Sequence, residues 1–467
     1  MAQVFDTIVL GAGWSGAVAA RELARAGRSV LVLEARDRIG GRASTWSTPT
    51  GDKFDLGCAW IHGYNEGNPA RDIATSLGVS AGLPKAAPGI MYGPDGPLAK
   101  ETAATLSSSL AAAQAAFRTP HPAPGPNVSV ADALFASESP LTAAGVDGQL
   151  AKSFARSLEV PFGTKLENVS LRWNGWEGTH NFSGSDALPV GGYQDIVGKV
   201  LADAEAAGAQ VRLSEPATQV ADGDKDVTVT TASGAKYSAR AVVCTIPLGV
   251  LQSLPETFFN PPLDARLADV VKNTNVGVLE KIVLNYDTAW WPQANELGSY
   301  LFLPTKSEAD LTPASSLADV FASSTFNSNN FAAGNLPVTS PTLVTYITDT
   351  VARIIVTRPA DQVAAAFHAF LESRFGTKGP QPAGFAVTSW LTDPHARGAT
   401  TTPVVVSANG ERSPMDYKEL SRPQWAGRLG FAGEHTEMEN RGSVAGAVLS
   451  GQREGERVER LLKKLGA

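Results

Sequence analysis

Cysteine is nearly absent from this chain of 467 residues: Cys58 and Cys244 are the only two. Two thiols cannot build a disulfide framework, which points to a reducing compartment, and a cytoplasmic protein is expected. Both sit in apolar, strand-like surroundings, so buried thiols are expected as well. A basic excess is lacking too, because 39 lysines and arginines face 46 aspartates and glutamates for a net charge of −7. That balance discourages nonspecific binding to nucleic acid, and no such partner is expected. No apolar run is long enough to cross a bilayer, so no membrane partner is expected either. Val4–Leu10 is too short for the core of a signal sequence, and Leu465-Gly466-Ala467 is not a peroxisomal ending. The sequons at Asn127, Asn168 and Asn181 carry meaning only in a secreted protein. No metal site is expected.

The features that are present begin at once. Asp6-Thr7-Ile8-Val9-Leu10 reads as a strand, and Gly11-Ala12-Gly13-Trp14-Ser15-Gly16 comes next and opens a helix. Gly11 permits a tight strand-to-helix turn, and Gly13 lets backbone approach a pyrophosphate. Gly16 allows close packing of helix on strand, and the helix N-terminus directs free N–H groups at phosphate. A second strand, Ser29–Leu33, ends on Glu34, eighteen residues past Gly16, where a carboxylate would hold an adenosine ribose. A glycine triplet alone is weak evidence, but strand, helix, second strand and terminal acid together read as a dinucleotide site. Gly40-Gly41-Arg42, soon after, adds a second flexible backbone segment and a fixed cation. These suit a longer, permanently held flavin dinucleotide better than a nicotinamide one.

Further along, residues 76–150 are rich in Ala, Ser and Pro. An alanine-rich helix is expected over Glu101–Ala116, and Pro120, Pro122, Pro124 and Pro126 prevent its continuation. A helix is expected at Gln194–Ala206, a strand at Gln210–Leu213, and a hairpin of Val227–Thr231 with Tyr237–Ala241. Ala241–Ile246 reads as a buried apolar strand. Strands at Lys281–Tyr286, Leu343–Thr348 and Leu429–Ala432 and helices at Ala360–Phe375 and Val444–Leu465 complete the pattern. The Asn327–Asn335 stretch, with Ser and Gly interleaved, is expected to be a mobile loop.

Several strings together resemble the flavin-containing amine oxidase family, the group of monoamine oxidases, polyamine oxidases and lysine-specific histone demethylases. Besides the N-terminal motif these are Asp55-Leu56-Gly57-Cys58-Ala59-Trp60-Ile61-His62-Gly63, Thr245-Ile246-Pro247-Leu248-Gly249-Val250-Leu251, Gly277 four residues before Lys281, and Trp390 before Asp393-Pro394. Phe431-Ala432-Gly433-Glu434-His435-Thr436 and Gly446-Ala447-Val448-Leu449-Ser450-Gly451 close the set. Trp-Ile-His-Gly and Gly-Glu-His-Thr lean toward the polyamine oxidase and demethylase branch. The resemblance implies an α/β fold: a Rossmann-like FAD-binding domain over 1–75, 190–285 and 390–467, and a discontinuous α+β substrate-binding domain over 76–189 and 286–389. It implies FAD contacts from Gly11, Gly13, Ser15, Gly16, Glu34, Ala35, Arg36, Gly41 and Arg42, then from Ala59, Trp60, Ala217 and Trp390, and finally from Gly433, Glu434, Ser443 and Val444.

Alone, Lys281 would read as a solvated surface charge, Glu434 as a helix cap and His62 as a loop histidine. By resemblance Lys281 lies under the flavin and holds a water near its reactive nitrogen. Glu434 then meets the ribityl-phosphate end, and His62 stands at the mouth of the substrate tunnel. Trp173 and Trp176 fall on the substrate side in that comparison, although most tryptophans are packing residues. The departures are informative. Where monoamine oxidases carry a flavin-bonding cysteine and a tyrosine, this chain has Gly398-Ala399-Thr400, so non-covalent FAD is expected. A second family tyrosine is replaced by Ser443, and Thr400 and Ser443 predict a wider pocket. The expected function is oxidation of a C–N bond of a polyamine or long-chain amine by hydride transfer to flavin, with O2 reduced to H2O2. The alternatives are a bulkier biosynthetic amine or an amino acid as substrate, or a flavin-dependent C–C desaturase. Either a monomer or a homodimer is compatible with the sequence.

Overall fold

The computed structural model describes residues 3–117, 123–176, 182–406 and 411–466. Pro120, Pro122 and Asn181 lie outside them. The fold is mixed α/β, with two large sheets.

The first sheet is centred on Val4–Leu10, which pairs in parallel with Val30–Leu33 on one side and with Lys236–Cys244 on the other. Gln210–Arg212 continues it in parallel beyond Val30–Leu33, and Leu429–Phe431 pairs in parallel with Lys236–Cys244. Val4–Leu10 and Val30–Leu33 are almost wholly apolar and buried because both faces of the sheet are covered. On one face Trp14–Arg25 packs against Tyr193–Ala206 and Val444–Leu465. On the other lies Ala265–Asn273, and the sheet itself continues through the antiparallel strands Val227–Thr231 and Ala217–Asp222, whose apolar side chains join the same cluster.

The hairpin partner and the apolar strand expected at Tyr237–Ala241 and Ala241–Ile246 are one strand, Lys236–Cys244. Its first half pairs antiparallel with Val227–Thr231 and its second half pairs parallel with Leu429–Phe431. The change from alternating to continuous apolar sequence therefore marks a change of neighbours within one strand.

The second sheet runs in the order Gly384–Val387, Leu279–Asn285, Thr342–Thr348, Phe326–Asn330, Ser299–Phe302, Gly89–Gly93, Gly96–Pro97. Leu279–Asn285 thus belongs to this sheet, although the sequence ranges grouped it with the nucleotide-side segments. One face packs on an aromatic-rich core with Ala360–Phe375 and Leu317–Ala322. The first part of the loop expected at Asn327–Asn335 is instead an inner strand, Phe326–Asn330, and only the remainder, from the single turn Phe331–Ala333 onward, leaves the sheet. Polar composition concealed it, because its buried polar groups are paired internally. The Ser328 hydroxyl bonds Thr345 at 2.6 Å, and the Asn330 amide donates to Ala294 O and Leu297 O at 2.7 and 2.6 Å. Buried polar groups cost little when satisfied in this way. Among the described residues no helix is long and apolar enough to cross a membrane.

Candidate active site

A cavity of about 780 Å³ opens at the C-terminal ends of the parallel strands and reaches the second sheet. Ligands of open α/β sheets bind at this end of the strands. The Gly11–Gly16 turn is tightly built. Gly11 has φ +108°, and a Cβ on Gly16 would stand 2.0 Å from the Gly11 carbonyl oxygen. The next helix, Trp14–Arg25, has no side-chain cap and no acid in its first turn, so its N-terminal N–H groups remain free for an anion. Glu34 is buried, and its carboxylate accepts from Ala12 N at 2.7 Å and Arg36 N at 2.9 Å. A carboxylate has about four lone-pair sites; two remain for hydroxyls of a sugar. Arg36 is held away from Glu34 by a bidentate pair with Asp393 at 2.8 and 2.9 Å.

Arg42 and Glu434 close a second charged group. The Arg42 guanidinium donates to Glu434 Oε1 at 2.8 Å and to Ala399 O at 3.0 Å. Glu434 Oε2 accepts from Thr401 Oγ1 at 2.8 Å and Gly442 N at 3.1 Å. Burial opposes its charge, but the Arg42 charge and hydrogen bond and the Thr401 hydroxyl outweigh it, and the carboxyl lies below its ordinary range. Burial has the opposite effect on His435, whose imidazole is lowered to about 4 and stays neutral. Ser443 caps the long helix Val444–Leu465 by accepting from Gly446 N at 3.0 Å, so its hydroxyl fixes that N-terminus beside the cavity.

Lys281 is buried, at 4% exposure, and the strand Leu279–Asn285 delivers it into the cavity. Its ammonium donates to Asp55 O at 2.8 Å and Gly57 O at 2.7 Å and lies 5.2 Å from the Tyr346 ring. Of its three N–H donors, one has no protein acceptor among the described residues. Gly57 is required here, since a Cβ would meet the Arg42 carbonyl at 1.6 Å. The Asp55 side chain is raised to about 6 by burial, against the Thr45 hydroxyl, Lys281 and the Tyr193 N–H. Trp390 donates its indole N–H to Leu56 O at 3.2 Å, and its backbone N–H binds the fully buried Glu280 at 2.9 Å. Trp60 donates to the Tyr346 hydroxyl at 3.3 Å.

His62 is exposed at the cavity rim, with Nδ1 2.8 Å from Asp186 Oδ2. Burial raises the Asp186 carboxyl, but the His62 hydrogen bond and charge and the Gly63 N–H together hold it below its ordinary range.

Every residue that the sequence reading assigned to cofactor or substrate lines this cavity except Gly16, Trp173 and Trp176. Gly16 packs beneath the turn. Trp173 packs against the apolar cluster under the first sheet and is not among the residues lining the cavity. Cys58 also departs from its expected strand: it lies in the 56–60 loop at the cavity wall, where burial first, then Asp55, pushes its thiol up. Such a protonated thiol is a poor nucleophile. Among the cavity residues that the sequence reading did not single out are Tyr346, Asp186 and Asn327. Alternation in Thr342–Thr348 identifies Tyr346 as sharing a face with Val344, but only the sheet register shows that this face meets Lys281.

Known proteins give the same reading from outside. Polyamine oxidase 4 of Oryza sativa subsp. japonica is 27% identical over 460 residues, covering 96% of this chain and 87% of that protein. Probable polyamine oxidase 4 of Arabidopsis thaliana is 27% identical over 479 residues, covering 99% and 88%. Lysine-specific histone demethylase 1B of Mus musculus is 28% identical and matches 97% of this chain, which spans 52% of that protein. The family model described as flavin containing amine oxidoreductase matches residues 14–458. The chain therefore belongs to the flavin containing amine oxidoreductase family.

Proposed function

We propose that the protein is an FAD-dependent oxidase of a C–N bond in a polyamine or other long-chain amine. The observation that carries this reading is the buried Lys281 ammonium, fixed by two carbonyl oxygens with one donor left toward the cavity. The parallel sheet and its helices are read as a Rossmann-like FAD-binding unit. The residues present fit that group: an uncapped helix N-terminus for its pyrophosphate, lone pairs of Glu34 for its ribose, and the Arg42–Glu434 pair toward its other end. Binding is read as non-covalent, because the family's cysteine position is Gly398-Ala399-Thr400 and the Cys58 thiol stays protonated.

When bound, the flavin supplies a two-electron acceptor for the amine carbon and passes those electrons to O2, releasing H2O2. The protein's own residues supply position and charge. Lys281 presents a fixed positive charge and a donor for water where negative charge develops. The N-termini of Trp14–Arg25 and Val444–Leu465 add partial positive charge. Trp60, Tyr346 and Trp390 give the reacting carbon an aromatic enclosure that excludes water. The His62–Asp186 pair receives the incoming ammonium at the rim, and His62 can take its proton, since oxidation requires a neutral amine.

The test is anaerobic mixing of purified yellow protein with monoamines, diamines, polyamines and amino acids while the flavin absorbance is followed. Bleaching by long-chain amines is expected; bleaching by amino acids alone would transfer the assignment to that class.

A further inference from the structure

The second sheet carries one row of directly opposed residues across five strands. Lys281 faces Tyr346, Tyr346 faces Asn327, Asn327 faces Leu301, and Leu301 faces Met91. Opposed residues in a ladder point to the same side of a sheet, so these five side chains share one face. Four steps between neighbouring strands make the row roughly 19 Å long. Its chemistry changes in order, from an ammonium through a phenol and a carboxamide to two apolar side chains.

A second cavity, of about 580 Å³, lies over the far end of this row. It shares Val160, Pro161 and Asn327 with the main cavity, so the two meet at the middle of the row. Ile90, Met91 and Leu301 line it from the sheet, and Ala103, Ala104 and Ser107 line it from the helix Lys100–Phe117. No ionisable side chain is among its described lining residues. The main cavity differs, with Lys281 at its centre and the His62–Asp186 pair at its rim.

We propose that the two cavities form one substrate cleft, and that the second receives an uncharged arm of the amine. This rests on the amine-oxidation reading and narrows it. A second ammonium placed over Leu301 and Met91 would meet apolar walls and no carboxylate, and so gains nothing there over water. An aliphatic arm meets apolar walls there, and a terminal hydroxyl finds Ser107, Ser299 or Thr325. The substrate class is a long-chain amine charged at one end only, with its neutral arm roughly 10 to 19 Å from the Lys281 end of the row.

The experiment compares n-decylamine, its ω-hydroxy analogue and the α,ω-diamine of the same length on the holoenzyme. Both kcat/KM and anaerobic calorimetric affinity are measured. The two neutral-ended amines are expected to agree within about threefold, and the diamine to fall at least about tenfold below them. Ala104→Trp, on an exposed helix position, is expected to block the arm: decylamine loses about tenfold while n-butylamine is unchanged. Met91→Glu is expected to bring the diamine level with decylamine. A diamine used as well as decylamine by the wild type, or an Ala104→Trp effect equal on long and short amines, overturns the proposal. If amines of every length and ending are oxidised alike, the cleft proposal fails and the amine-oxidation reading stands. If none reduces the flavin, that reading fails first.

Discussion

The two walls of the main cavity are built in opposite ways. The wall above the parallel sheet is made from backbone and paired charges: the Gly11–Gly16 turn, Glu34 on two N–H groups, Arg36 on Asp393, and Arg42 on Glu434. Each charge there is held by a partner before any ligand arrives. The wall from the second sheet is made from side chains in register, and Lys281 stands out on it as a cation bound only to carbonyl oxygens. Pre-paired charges suit a cofactor that stays. A fixed cation held by carbonyl oxygens, with a donor left toward the cavity, suits chemistry in which charge appears and disappears.

Breaking the nucleotide wall gives the largest effect. Glu434→Ala leaves the partly buried Arg42 without its carboxylate, and a loss of up to about 3 kcal/mol is expected, with failure to retain flavin on gel filtration. Denaturant melts and the absorbance ratio check it. On the other wall, Lys281→Met is expected to keep flavin but slow its reoxidation by about 10²-fold, measured by oxygen mixing after anaerobic reduction. Unchanged reduction and reoxidation rates remove Lys281 from the mechanism.

Where the two walls join, Asp55 sharpens the contrast through pH. Its folded pKa, about 6, is above the ordinary carboxyl value, so ionisation costs folded-state stability. The cost is absent well below the ordinary carboxyl value of 3.8, grows as pH rises through that value toward 6, and is constant above. The Tm of the wild type relative to Asp55→Asn should therefore fall between pH 4 and 6.5. A difference independent of pH contradicts that environment. Asp186→Asn should do least: its pair with His62 is exposed, so stability should change by less than about 1 kcal/mol. KM for a cationic amine should still rise, with kcat held.

The same contrast governs what could be read from sequence. The nucleotide wall is local, since Gly11, Gly13, Gly16 and Glu34 lie within one strand–helix–strand unit and their spacing specifies their roles. Lys281, Trp390, Glu434 and Ser443 were reached by resemblance to a family, because no spacing connects residues so far apart in the chain. Tyr346 and Asn327 were missed because their place depends on strand register, which no short string encodes. Phe326–Asn330 was misread as a loop since its buried Ser328 and Asn330 are satisfied by partners elsewhere in the chain. Trp173 was placed in the site by resemblance, yet its apolar ring is used as packing.

The central claim is that electrons leave a C–N bond and reach oxygen. The most direct measurement is the stoichiometry of aerobic turnover with n-decylamine, following aldehyde, ammonia and H2O2 together. Equal amounts of all three are predicted. Flavin turnover that yields H2O2 with no nitrogen released, as for a C–C desaturase, would contradict the account.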